Sequence, residues 1–407
     1  MLPQKPVTLF TVFRPQDASV EETVYSITQR HTPAFILTNR RLANLQDTTY
    51  LNLPIDFWRK PRITTWMHSF ADQGAARVSL LTCNRADLPV TSGQGDIAEV
   101  VLYPRFLSAT EQARVHTYLA LKYGVALARG QDYLSATGEV LWSGRRDSAY
   151  AHRITGIGRA EAANWYQGQS RFQTAEATLH LGIQPLQQPN GQPDPRLPNN
   201  SYLLWGDNDA PWTWEIDSFS APHAILRRQW MVRSHQFPDT LTTYLRFTEP
   251  GRWSAFPPGT MITLEVDRTG TGTFPSEQTD AYQAQVNAVT GQLNFAGIPW
   301  DTDGSGSDRV RLSAPAAVVP QRLDGDLSVY PNPVPVATPL EVSWQMTDRP
   351  SQPIILQVID VHGRILKEFQ YAPARFVRQP VVLPQAGVYW LVCRIGRREQ
   401  STKIVAQ

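Results

Sequence analysis

The apolar residues of this chain fall in short runs cut apart by turn-forming stretches, and that punctuation constrains the fold more than any other feature. Val7-Thr8-Leu9-Phe10-Thr11-Val12-Phe13 is the first run, followed by Thr23 to Ile27, Phe35 to Leu37, Ile63 to Met67, Val78 to Cys83 and Ile97 to Tyr103. Gly387-Val388-Tyr389-Trp390-Leu391-Val392-Cys393-Arg394-Ile395 alternates cleanly, as a half-buried strand does. With 32 Pro, 25 Gly and 10% aromatic residues, and little helical periodicity, the 407 residues read as an all-β chain of strands and turns. Three β-rich units are expected, residues 1–127, 128–315 and 327–407, with a linker at 316–326.

One helix interrupts the pattern. Ser108-Ala109-Thr110-Glu111 is a capping box, Val115, Tyr118, Leu119 and Lys122 follow at helical spacing, and Gly124 is placed to stop the helix. No run approaches the roughly 20 apolar residues of a membrane span. The 38 basic and 36 acidic residues leave +2, which does not point to a nucleic-acid binder. Cys83 and Cys393 fall in different predicted units and read as isolated thiols. The eight histidines, His31, His68, His116, His152, His180, His223, His235 and His362, lack metal-ligand spacing. Met1-Leu2-Pro3-Gln4-Lys5-Pro6 has no charged n-region leading into an apolar h-region, so no signal peptide is visible.

Gly95-Asp96-Ile97-Ala98-Glu99-Val100-Val101-Leu102-Tyr103, then Phe106-Leu107-Ser108 and the helix ending Tyr118-Leu119-Ala120-Leu121-Lys122-Tyr123-Gly124, resembles the closing part of a concanavalin A-like (laminin G-like) jelly roll. The resemblance implies further strands ahead of Val7, hence an N-terminally truncated domain. Gly156-Ile157-Gly158-Arg159, Leu203 to Asn208 and Arg228 to Val232 resemble a β-rich module of unassigned role that follows such domains in secreted Bacteroidetes-type proteins. The tail carries four blocks in order: Val329-Tyr330-Pro331-Asn332-Pro333, Asp360-Val361-His362-Gly363-Arg364, Gly387-Val388-Tyr389-Trp390-Leu391 and Lys403-Ile404-Val405. Together they resemble the type A C-terminal sorting domain of the type IX secretion system, an immunoglobulin-like β-sandwich. Its sorting residues would here be Tyr330, Pro331, Asn332, Pro333, Asp360, Gly363, Arg364, Gly387, Tyr389 and Lys403. That resemblance implies export across the outer membrane, a partner in the secretion machinery, and a mature protein that is released or held at the cell surface. A chain with this exit tag is expected to be the back part of a longer secreted protein.

Two constellations invite chemistry. Asp301-Thr302-Asp303-Gly304-Ser305-Gly306-Ser307-Asp308 sets Asp301, Asp303 and Asp308 among small residues, the hard-oxygen pattern that Ca²⁺ prefers. The twelfth position carries Leu312 where an EF-hand has a bidentate Glu, and a plain Asp/Gly/Ser turn is the favoured alternative. Leu204 to Trp214 places Trp205, Asp207, Asn208 and Trp212 together, aromatic faces beside hydroxyl-binding groups, as a glycan site would need. Core tryptophans flanking a polar loop are the favoured alternative there. No Glu-x-Asp-x-Glu alternation, Gly-x-Ser-x-Gly, His-Glu-x-x-His or phosphate loop occurs. The leading functional expectation is a non-catalytic secreted or surface binding or adhesion protein whose ligand is an extracellular glycan or surface protein. A fragment of a polysaccharide-degrading enzyme and a structural spacer are the alternatives.

Overall fold

The computed structural model describes residues 4–14, 21–29, 32–44, 49–52, 61–71, 76–81, 91–92, 95–173, 179–186, 190, 193–216, 223–248, 253, 256–257, 259–287, 292–319, 321–322, 325–346, 349–350, 352–361, 363–396 and 398–407. His31, Cys83, His362 and parts of the 184–200 and 316–326 stretches lie outside them. Strand makes up 56% and helix 8%, so the all-β class holds, built as antiparallel sandwiches. Two units separate by contact: Met1–Arg146 with 162–165 and 172–174, and the remainder.

In the first unit the strand Gln4–Arg14 is central in a three-stranded sheet, antiparallel to both Arg62–Ala71 and Asp96–Tyr103. Its apolar run is continuous because both faces are covered. Leu9 and Phe13 pack against Tyr25, Ile27, Phe35 and Leu37 of a second sheet, while Phe10 and Val12 pack against Leu107 and Leu119 beneath the helix. The helix Ala109–Tyr123 starts on the predicted box: Ser108 Oγ accepts from Glu111 N, and Glu111 Oε2 accepts from Ser108 N. Gly124 closes it in the left-handed conformation. The residues that carried the jelly-roll resemblance form a clamp. Glu99 accepts from Tyr118 Oη at 2.9 Å, Lys122 Nζ at 2.9 Å and Tyr123 Oη at 2.9 Å, tying three helix positions to one strand.

The first boundary falls later than residue 127. The hairpin Tyr133–Leu134 with Val140–Trp142 belongs to the first unit, since Leu134 N donates to Thr117 Oγ1 of the helix and Leu127 N donates to Tyr133 Oη.

The middle module pairs a nine-stranded sheet, centred on His152–Ala160, Ser201–Asp207, Trp230–His235 and Ser307–Pro315, with a four-stranded one. The smaller sheet runs Gln169–Arg171, Leu179–Gly182, Thr243–Thr248, Gln292–Ile298. Trp205, Trp230, Trp253 and Trp300 fill the space between them. The C-terminal module has its own core around Trp344. Among the described residues it has seven strands from Gly325 on, counting one sheet of Gly325–Tyr330, Pro339–Met346 and Phe376–Val382. The other holds Arg398–Ala406, Gly387–Ile395, Ile354–Asp360 and Ile365–Tyr371, with the short strand Gln321–Arg322 at its edge. The predicted linker is therefore not a free tether: Val319 is buried in the middle core, and Gln321–Arg322 pairs in parallel with Arg398–Glu399. Cys393 is a free, buried thiol whose pKa burial pushes up.

Candidate functional site

The four tail blocks, far apart in sequence, come together at one end of the C-terminal sandwich. Tyr389 is paired on one side with Asp360 and on the other with Ile404; next to it Trp390 is paired with Ile359 and Lys403. Blocks two, three and four thus lie side by side on three adjacent strands. Block one reaches them through a side chain. Asn332 Nδ2 donates to Lys403 O at 2.7 Å and Asn332 Oδ1 accepts from Val405 N at 2.9 Å, a two-ended bond to the last strand across 71 and 73 residues. An amide is the side chain suited to this, because it offers a donor and an acceptor at once. Pro331 and Pro333, each preceded by a cis peptide bond, flank it, and Val334 N continues the contact by donating to Val405 O.

Asp360 organises its own turn, with Oδ1 accepting from Arg364 N and Oδ2 meeting Arg364 Nε at 3.1 Å. Gly363 takes φ 84, a conformation open to glycine at little cost, and its N–H donates to Asp360 O. Tyr389 is buried with its hydroxyl on Gln385 O, Gly387 is exposed at the start of that strand, and Tyr330 stands 81% exposed.

Asp301, Asp303 and Asp308 each place one oxygen on an amide of their own loop: Asp301 Oδ1 accepts from Gly306 N at 2.6 Å, Asp303 Oδ1 from Ser305 N at 3.0 Å, and Asp308 Oδ2 from Asp301 N at 2.8 Å. Among the described residues no group of three or more His, Cys, Asp or Glu is placed to hold a metal. Asp308 is 1% exposed and lies 3.4 Å from Arg268 Nη1. Burial outweighs that guanidinium and raises the carboxyl to about 7.

In the Leu204 to Trp214 stretch Trp205 and Trp212 lie inside, the arrangement the favoured alternative described. Trp205 and Trp212 are core residues, Trp212 lying edge-on to Trp230 and Trp253, so neither offers a face to a sugar. Asp207 is buried against Arg153, and Asn208 holds its loop by accepting from Ala210 N and Gln229 N.

Sequence reading passed over the outer face of the four-stranded sheet. Arg171, His180 and Arg246 are in register on three adjacent strands, with Asn294 beside Arg246 on the fourth. Leu179-His180-Leu181 and Leu245-Arg246-Phe247 do alternate in the sequence, which marks His180 and Arg246 as outward; the pairing that aligns them is not local.

A family model described as a domain of unknown function (DUF8202) matches residues 111–304, from within the helix to the Asp301–Asp308 loop. No curated protein matches. Among solved structures, the chain is similar to a superoxide reductase (neelaredoxin) from Ignicoccus hospitalis, with 17% identity and a TM-score of 0.18 over 21% of this chain and 82% of that one. It is also similar to the β-glucuronidase of Ruminococcus gnavus, with 10% identity and a TM-score of 0.16 over 40% of this chain; it spans about a third (34%) of that enzyme. At these scores neither likeness bears on function. Among the described residues no helix is long and apolar enough to cross a membrane.

Proposed function

We propose that the chain is a non-catalytic binding or adhesion protein exported by the type IX secretion system, with residues 327–407 as its sorting element. What supports the export reading is the convergence of the four blocks at one end of a separately cored sandwich, with Asn332 bonded across to the final strand. The preceding β modules then form the cargo, and they meet an extracellular glycan or surface protein.

The test fuses residues 320–407 to a reporter behind a signal peptide in a host with this secretion system. The reporter is expected at the cell surface or in the medium, with Asn332→Ala lowering its export. A reporter retained in the periplasm sinks the reading.

A further inference from the structure

From the outer face of the four-stranded sheet in the middle module we infer a binding site for an acidic oligosaccharide, one whose sugars carry carboxylate or sulfate groups. The inference sharpens the binding half of the function proposed above and is independent of the export half.

Leu179, Leu181, Leu245, Phe247, Leu293 and Phe295 of this sheet point into the core, so the alternate positions point out. Those positions place Arg171, His180 and Arg246 in one row, since Arg171 pairs with His180 and His180 with Arg246. Asn294 extends the row, and Tyr244 lies one outward position from it. None of the outward positions on these four strands is Asp or Glu. Elsewhere in the module Arg153, Arg233, Arg268 and Arg311 each meet a carboxylate. On this face, among the described residues, Arg246 donates only to neutral acceptors, Asn294 Oδ1 at 2.9 Å and Leu186 O at 3.4 Å. Arg171 is exposed at the edge of the row.

An anion laid across the row would take charge-assisted hydrogen bonds from both guanidinium groups. The row spans about 10 Å across three strands, comparable with two linked sugar rings. The ring of Tyr244 and the amide of Asn294 suit the C–H faces and hydroxyls of such a ligand. Nucleic acid fits less well, because its affinity rests on many phosphate contacts and on stacked bases, and this face offers two guanidinium groups and one aromatic ring.

The test uses the purified full chain and isothermal titration calorimetry. The probes are hexagalacturonate, a sulfated chondroitin hexasaccharide, maltohexaose, a short single-stranded DNA and sodium sulfate. Binding of one or both acidic oligosaccharides is expected, with none by maltohexaose; the carboxylate and sulfate arms tell which anion is preferred. Arg171→Gln and Arg246→Gln should each weaken it about tenfold or more. Arg171 is exposed, so its variant should keep the wild-type melting temperature even if the Arg246 variant does not. A second readout is the imidazole of His180, which burial, then Arg246 and Arg171, hold down at about 4. Bound anion should raise its titration midpoint, followed by NMR. Equal binding of maltohexaose, tighter binding of DNA, full competition by sulfate at equal concentration, or acidic-sugar binding unchanged in both variants would each overturn the inference.

Discussion

The Asp301–Asp308 loop and the Asn332 junction are both polar turns at the end of a sandwich, yet they use their polar atoms differently. In the loop each carboxylate accepts from an amide two to seven residues away, and Asp308 also meets Arg268. At the junction a single amide spans 71 and 73 residues to the final strand. The loop resembles a metal site because Asp, Gly and Ser are equally good at closing turns. The junction reads in sequence as a motif block between two prolines, and only the folded register shows what Asn332 faces. Residue type alone does not separate a site from a turn.

Substitutions can break or sharpen that contrast. Trp205→Ala, which removes a 2%-exposed core residue beside the loop-rich end of the middle module, should cost about 3–5 kcal/mol, read by chemical denaturation. A Trp205 acting as a sugar platform would instead lose binding with stability intact. Asn332→Ala should cost about 1–3 kcal/mol, and calorimetry should place the loss in the C-terminal module's transition. A loss below that range would mean that the junction is as local in its energetics as the loop.

Protonation probes the loop itself. Asp308 holds its proton up to about pH 7 in the folded chain, well above its ordinary carboxylate value, so between roughly pH 4 and 7 the folded state binds more protons than the unfolded one. Its contribution to stability should therefore fall as pH rises through that window and level off above it. Asp308→Asn should remove that part of the slope in melting curves taken across the window. Glu111 has the opposite sign: its pairing with Arg105 and its cap bonds to Ser108 hold it at about 2, so its contribution is lost as pH falls from the ordinary carboxylate range toward 2. The smallest effect belongs to Asp303, which is exposed and, among the described residues, bonds Ser305 N. Asp303→Ala should change stability by less than about 0.5 kcal/mol, and added CaCl₂ should leave the melting temperature unmoved.

What was legible in the sequence is what is local. The Ser108–Glu111 box and the stop at Gly124 each depend on residues within a few positions, and both stand where they were read. The alternation of Gly387–Ile395 likewise names the face that packs on Trp344. Register is different, because it is set by which strands meet. The row of Arg171, His180 and Arg246 joins strands more than 60 residues apart (179 and 247 are paired), and nothing within any one of them announces the others. Tryptophans beside acids left two readings open for a related reason: the sequence shows that they are neighbours but not which of them the opposing sheet covers.

The chain reaches the C-terminal module along Gln321–Arg322, which runs parallel to Arg398–Glu399, and Val334 lies parallel to Ala406 near the other end of the same last strand. Tension applied between the middle module and the terminus would pull these parallel segments in opposite directions along their length. Their bonds would be loaded together, in shear, where an antiparallel hairpin would unzip one bond at a time. The module would therefore meet a pull along the chain with these paired segments acting together.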